Sequence, residues 1–342
     1  MSEDKRMRGI LGLANLGNTC YMNATIQALR HCPEWTLYCA QNRIQEHITD
    51  AKKSCSVMTL AYQDLLKSIW GGTGPGYVRP LDFYSKLSDS VRGTIYDDFM
   101  RRTPQDAHEF LVWLLDQMYM GTQKEVNIAV RNEASLAPMT LQAVKGWKAA
   151  FEKQYSPLTD LIFGMYRIQY ECKGCAAVHT RWETFNTLKI SLAQKEDGSP
   201  MTLEEMIEHE FRDEEIEGYH CDACKEKPTA IRRVTIWRLP KILIVTLKRF
   251  TPMGTRDNRP LLYDGHPLTL GRSFAPESHE QSKSHSYKLF STVDHHGHHM
   301  GGHYTAQTYN PVWKVWHMYD DETAHSIEQP RFGPSTYIMM FR

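Results

Sequence analysis

Neither sign of charge prevails in this chain of 342 residues: Lys plus Arg and Asp plus Glu each number 40, and the isoelectric point is near 7.3. That balance excludes the basic face by which a protein binds nucleic acid or an anionic membrane. No apolar run approaches the roughly 20 residues of a membrane-spanning helix. The first residues, Met1-Ser2-Glu3-Asp4-Lys5-Arg6, are charged where a secretory leader is apolar. The expectation is an intracellular soluble protein, cytoplasmic or nuclear, with no membrane and no nucleic-acid partner. Internal repeats and long low-complexity segments are missing too, which excludes a solenoid. Hydrophobic residues make up 41% of the chain, enough for a sizeable core in one large domain or two average ones. Cysteine is sparse, with 8 residues. In a large chain without a leader, so few point to metal binding or catalysis rather than to a disulfide framework.

One of those cysteines sits in an informative stretch, Gly12-Leu13-Ala14-Asn15-Leu16-Gly17-Asn18-Thr19-Cys20-Tyr21-Met22-Asn23. Gly and Asn supply tight backbone geometry and amide donors, and Tyr21 to Arg30 reads as a helix that stops before Pro33. Unpaired N–H groups and the positive end of the helix dipole favour the thiolate, so Cys20 is the candidate nucleophile. A cysteine taken at random is more often a buried, inert one; here the flanking residues decide otherwise. Asn18 reads as a turn or capping residue.

The first part of the chain, to about residue 150, reads as helical. A second helix start is expected at Thr103-Pro104-Gln105-Asp106, with Thr as cap, Pro in the first turn and Asp106 as a capping carboxylate. Phe110, Leu114, Leu115 and Met118 then share a face. From about residue 160 the pattern turns to β, with strands expected at Ile242–Leu247, Tyr287–Val293, Tyr304–Tyr309, Trp313–Tyr319 and Tyr337–Phe341. Polar insertions around Gln194–Pro200 and Gly271–Ser286 read as surface loops, and Gly71–Gly76 as another.

Gly301-Gly302-His303-Tyr304-Thr305-Ala306 is followed, 17 residues after His303, by Asp320 in Trp316-His317-Met318-Tyr319-Asp320-Asp321. A hairpin turning at Asn310-Pro311-Val312-Trp313 would set His303 directly opposite Asp320. That is the arrangement of a general base and its orienting carboxylate. The run His295-His296-Gly297-His298-His299 offers a plainer alternative, a flexible loop with weak metal affinity. Asp321 reads equally well as a solvated turn residue. Cys172-Lys173-Gly174-Cys175 and Cys221-Asp222-Ala223-Cys224 form two Cys-x-x-Cys knuckles with 45 residues between them. Together they favour a structural zinc held by four thiolates, Cys172, Cys175, Cys221 and Cys224, over a pair of redox motifs. Cys32, Cys39 and Cys55 read as ordinary thiols.

These residues resemble the ubiquitin-specific proteases, the papain-like deubiquitinating cysteine proteases. The Cys box is similar to G-L-x-N-x-G-N-T-C-Y-M-N, and the His box to G-G-H-Y-x-A with a downstream W-x-x-[YF]-[DN]-D. Gln105-Asp106-Ala107-His108-Glu109-Phe110 is similar to Q-D-A-H-E-F, and residues 239–250 to L-P-x-x-L-x-x-x-L-K-R-F. The resemblance runs from about Gly9 to the C-terminus and departs at Pro104, where the family often has a second Gln. It implies an α+β, papain-like fold in one catalytic domain over 9–342 behind a short tail, 1–8. The thumb would cover approximately 9–155, with palm and zinc-bearing fingers interleaved over 156–342. It implies Cys20 as nucleophile, His303 as base, Asp320 as its orienter, Asn15 as oxyanion donor and Asp321 as support to either. Asp106, Glu109, His295, Gly301, Gly302 and Tyr304 would meet the extended C-terminal tail of ubiquitin, with Gly297 in a bordering loop. The loops at Met253–Ser286 and His295–Met300 are placed to gate that cleft. The implied activity is thiol-dependent hydrolysis of isopeptide or peptide bonds at the C-terminal glycine of ubiquitin, by a monomer served by an adaptor or activator. A protease for a ubiquitin-like modifier, a catalytically silent ubiquitin-binding module and a zinc-dependent scaffold are the rival readings.

Overall fold

The computed structural model describes residues 9–72, 76–101, 103–251, 255–279, 286–298 and 301–342. The first half is helical: α1 (Cys20–Leu29), α2 (Pro33–Ala40), α3 (Ser54–Gly71), α4 (Leu81–Val91), α5 (Ala107–Thr122) and α6 (Pro138–Phe151). Two short parallel strands, β1 (Gly12–Leu13) and β2 (Tyr77–Val78), tie its start to the segment between α3 and α4. After the turn α7 (Thr159–Ile162) come β3 (Gly164–Cys172), β4 (Val178–Phe185), β5 (Leu188–Ile190), α8 (Leu203–Glu210), β6 (Glu214–Ile216), β7 (Ala230–Arg238) and β8 (Leu243–Leu247). The chain ends with β9 (Leu289–His298), β10 (Gly301–Asn310), β11 (Val315–Asp320), β12 (Thr323–Ile327) and β13 (Thr336–Phe341).

Two larger sheets result. A seven-stranded sheet runs β12-β11-β10-β9-β13-β8-β5, antiparallel apart from the β5–β8 pair, and a four-stranded antiparallel sheet runs β4-β3-β7-β6. The seven-stranded sheet divides two cores, and strand alternation sorts the side chains between them. Ile244 and Met340 join the core under the helices, with Tyr21, Phe110 and Trp113. Leu243, Val245, Met339 and Phe341 face the other way, toward Leu203, Met206 and Ile207 of α8. β8 and β13 are buried along their whole length, which explains why both read as continuous apolar runs.

Helix α1 is buried on every side, so its polar residues must be paired internally. Asn23 Nδ2 donates to the carbonyls of Leu13 and Ala14, and Gln27 Nε2 to that of Leu11. These bonds strap residues 11–14, where the Cys box begins, along the helix.

Three expectations need correction. Asp106 is itself the cap of α5, its Oδ1 accepting from the His108 and Glu109 N–H groups, so Thr103 and Pro104 precede the helix. The 271–286 insertion is not wholly a surface loop: Phe274, Ala275 and Ser278 are buried, the Ala275 N–H bonded to the Ile236 carbonyl, and 280–285 lie outside the described residues. His295, His296 and His298 belong to β9 rather than to a flexible loop, while 299–300 and, from the Met253–Ser286 segment and its approach, 252–254 lie outside the description. Residues 73–75 of the Gly-rich loop lie outside it as well.

Candidate active site

Asn18 adopts a left-handed conformation (φ 54°) and turns the chain into α1. The Asn15 side chain holds this turn. Its Oδ1 accepts from the N–H groups of Gly17 and Thr19 at 2.9 and 3.2 Å. Thr19 Oγ1 looks back to the Leu16 N–H, leaving the start of α1 without a side-chain cap. The N–H groups of Tyr21 and Cys20 are thereby free to act on the Cys20 sulfur, which also accepts from the backbone N–H of Tyr304.

Those donors do not make Cys20 a resting thiolate. Burial pushes its thiol up from the ordinary value, Asp321 nearby adds to the rise, and the Tyr304, Tyr21 and Cys20 amides offset only part of it. Helix-start geometry was the basis for expecting the thiolate, and desolvation outweighs it. In the free protein the proton therefore stays on sulfur at neutral pH. Alkylation of Cys20 by a small electrophile such as iodoacetamide is expected to keep rising as pH passes 9. A plateau reached below pH 8, followed by mass spectrometry of the Cys20 peptide, would show a preformed ion pair instead.

His303 stands on β10 and Asp320 ends β11, and His303 Nε2 lies 2.5 Å from Asp320 Oδ1. The hairpin delivers this pair, but in a different register from the one the spacing suggests. Ala306 pairs with Tyr319 and Asn310 with Val315, two residues off the symmetric register. The turn sits at 311–314, with Lys314 left-handed (φ 57°) and Asn310 Oδ1 accepting from the Val312 and Trp313 N–H groups. A shift of two keeps every side chain on its face, so the diagonal pair still meets.

Asp321 is not a solvated turn residue. Its side chain is only 10% exposed. Oδ2 accepts from Asn15 Nδ2 and Oδ1 from Asn23 Nδ2, both at 2.8 Å, and Oδ2 lies 4.0 Å from His303 Nε2. The backbone around it is left-handed (φ 44°), and its carbonyl accepts from the Leu13 N–H. Because Asn15 Oδ1 accepts amides and Nδ2 faces a carboxylate, the orientation of that amide group is fixed, and its second N–H remains for another acceptor.

A cleft of about 290 Å³ opens beside Cys20, lined by Asn18, Pro104, Asp106, Glu109, Phe250, His295, Gly302 and Tyr304 among others. Asp106 works inside the protein, capping α5 and accepting from the Tyr337 hydroxyl at 2.8 Å. Burial, and then Asp106, raise the Glu109 carboxyl. His295 packs edge-to-face with Phe250 and at a tilt against Tyr304, and burial pushes its pKa down to about 4, so it forms a neutral wall. A Cβ on Gly302 would collide with the His295 ring and lie 2.6 Å from the His296 carbonyl oxygen, whereas one on Gly301 would meet open space. Only Gly302 is thus required by its surroundings.

The second cluster lies far along the chain, where the β3–β4 and β6–β7 connections of the four-stranded sheet carry the knuckles. The sulfurs of Cys172, Cys175, Cys221 and Cys224 all lie within 4.8 Å of one another, with Cys175–Cys221 at 3.6 Å and Cys172–Cys224 at 3.9 Å. A tetrahedral ion with metal–sulfur bonds of about 2.3 Å sets sulfurs about 3.8 Å apart, so the donor set fits such an ion. Each knuckle closes alike, through Ala176 N–H to Cys172 O and Lys225 N–H to Cys221 O, with Ala176 and Lys225 left-handed (φ 56° and 62°). The Cys224 and Ala223 amides help to hold the Cys221 thiol down to about 7.

Residues 11–341 match the family described as ubiquitin carboxyl-terminal hydrolase. The chain belongs to this family. Curated relatives include ubiquitin carboxyl-terminal hydrolase 2 of Bos taurus, 27% identical over 98% of this chain and 55% of that protein. The Homo sapiens protein of that name is 28% identical over 98% and 55%, and the Gallus gallus one 28% identical over 98% and 94%. The chain spans about half the length of the first of these relatives. Among solved structures, the SAGA DUB module of Ubp8, Sgf11, Sus1 and Sgf73 bound to monoubiquitin has a chain similar at TM-score 0.73 and 19% identity, over 99% of this chain and 70% of that one. The same module bound to ubiquitin aldehyde gives 0.72 and 19%, again over 99% and 70%. The fold is thus the α+β fold of this family, and its four-cysteine cluster is consistent with metal-bearing fingers.

Two residues of the site escaped the sequence reading. Asn23 stands in the Cys box itself, three residues into α1, and an Asn between Met22 and Ala24 on a largely apolar helix was the signal. Glu322 follows the paired aspartates, and its Oε1 accepts from the backbone N–H of Asn15 at 2.8 Å; nothing in the sequence marked it.

Proposed function

We propose that this protein is a thiol-dependent deubiquitinase, cleaving isopeptide or peptide bonds after the C-terminal glycine of ubiquitin. The observation that carries the reading is the His303–Asp320 bond of 2.5 Å beside Asp321, whose carboxylate lies 4.0 Å from His303 Nε2 and acts on the Cys20 thiol, with Cys20 lining a cleft at an uncapped helix start. Cys20 attacks the glycine carbonyl as its proton passes to His303, which fits a nucleophile that rests as a thiol. Asp320 holds the ring and stabilises the imidazolium. The oxyanion takes the Cys20 N–H and the second N–H of Asn15. His303 then protonates the departing lysine amine, forming a thioester, and activates the water that releases ubiquitin. Asp106, Glu109, His295, Gly302 and Tyr304 line the cleft assigned to the tail, with the acidic pair suited to a basic residue in it, and Gly301, outside that lining, is assigned to the tail by its place beside Gly302. Zinc held by Cys172, Cys175, Cys221 and Cys224 would pin the tip of the four-stranded sheet against the body of ubiquitin. The proposed division is a thumb (approximately 9–155) with palm and fingers interleaved over 156–342, and a partner protein of the kind that accompanies Ubp8 in its module is one to seek.

Ubiquitin bearing a C-terminal electrophile is the direct probe. Intact mass should show a single ubiquitin added to the protein, and added at Cys20. Labelling by a ubiquitin-like modifier with none by ubiquitin would reassign the substrate. Replacing Asp320 by Asn is expected to lower kcat modestly, since the amide still accepts from the ring while losing its charge. A fall in melting temperature with unchanged kcat would make Asp320 structural.

A further inference from the structure

Three consecutive acidic residues each grip a different part of the site. Asp320 takes His303 Nε2, Asp321 takes the Asn15 and Asn23 amide groups, and Glu322 takes the Asn15 backbone N–H at 2.8 Å. Asn15 lies 307 residues before Glu322, so this turn is where the loop ahead of Cys20 meets the strand pair carrying the base. The approach is close: a Cβ on Gly12 would lie 2.6 Å from the Asp321 carbonyl oxygen. The Leu13 N–H is bonded to that same carbonyl at 2.7 Å.

We propose that Glu322 is a positioning residue for the hydrolase reaction, fixing the main chain of Asn15 so that its side chain can serve the oxyanion. The division of labour follows from the donor count. Asn15 has one backbone N–H and two side-chain N–H groups. Glu322 takes the first and Asp321 one of the others, so Glu322 adds a main-chain anchor to the side-chain bonds made by Oδ1 and Nδ2. With Glu322 gone, the main chain of Asn15 is held only through its side chain, and a donor displaced by a fraction of an ångström loses most of its differential effect on the transition state. The carboxylate acts through Asn15 and touches no reacting atom. This inference rests on the proposed deubiquitinase reading.

The test uses the full chain and ubiquitin carrying a C-terminal fluorogenic amide. If the wild type does not turn this substrate over, the deubiquitinase reading fails and the role of Glu322 is not what has failed. Given wild-type turnover, Glu322→Ala is expected to lower kcat by about 10-fold with KM within about twofold, the scale of a lost orienting partner. Glu322→Gln keeps an acceptor oxygen and is expected to recover most of the loss. In an Asn15→Ala background, Glu322→Ala is expected to cost less than about twofold more, because residues acting through one group are not additive. An equal loss in both backgrounds, a glutamine variant no better than alanine, or a raised KM with unchanged kcat would each overturn the proposal.

Discussion

Cys20→Ala is expected to bring ubiquitin hydrolysis down to the background rate, a loss on the order of 10⁶-fold where a covalent nucleophile is removed. Ubiquitin affinity should survive. Cys20 is a small residue, 8% exposed, whereas the tail channel and the four-stranded sheet are the proposed contact surface. Stability should change by less than about 1 kcal/mol, the small effect of a one-atom truncation that leaves backbone bonds intact. The substitution also removes a thiol that burial holds protonated, so no charge is left unpaired. Steady-state turnover, ubiquitin titration and thermal melting, run on the same preparation, separate these outcomes. Residual turnover near the wild-type level would exclude Cys20 as nucleophile. Lost binding in a folded variant would place the sulfur in recognition rather than chemistry.

Local placement was largely legible in the sequence; the joining of distant parts was not. Cys20, His303 and Asp320 sit in short boxes, Cys20 opens a helix as expected, and His303 and Asp320 meet on neighbouring strands. The hairpin register was read two residues off because the spacing alone centres the turn midway between His303 and Asp320. The left-handed Lys314 and the Asn310 side chain set a turn of the same length one residue later, at 311–314. A shift of two is harmless to a strand face, so a wrong register still led to the right pair. The thiolate expectation failed for a different reason. Helix-start donors can be read from residue order, but the burial that opposes them comes from the palm strand packed on α1. The helix α8 was missed despite a capping box, Thr202 with Glu205, that residue types alone announce. Asp321, Asn23 and Glu322 form bonds that span about 300 residues, and no window on the sequence contains both ends. Residue pairs of that kind also explain why Asp106, expected at the substrate tail, is held as firmly by Tyr337 as by its own helix.

Removing the metal is expected to have the second large effect. The four cysteine sulfurs are free thiols at 3.6–3.9 Å across the two knuckles, too far for S–S bonds of about 2.05 Å and right for one tetrahedral ion. Besides the ion, strand pairing and the stacked Tyr170 and Tyr219 rings hold that end of the sheet. β6 has three residues and β4 exposes most of its length. The salt bridges there, Lys173–Glu215 and Arg233–Asp213, are solvent-exposed and contribute only about 0–1 kcal/mol each. Structural zinc in small domains binds with apparent free energies of about 10–16 kcal/mol. Its loss should therefore release the knuckles while the palm and helical cores, which share no residue with them, stay folded. One zinc per chain is expected by mass spectrometry of the native protein. Cys221→Ser, or treatment with a strong chelator, should raise KM for ubiquitin far more than it lowers kcat. Hydrogen exchange should rise in 172–178 and 214–230 and hold steady in α1 and β13. The alkylation rate of Cys20 should not change. A metal-free protein with native exchange at the knuckles and unaltered KM would show that the four thiols need no ion, and that the sheet tip holds itself.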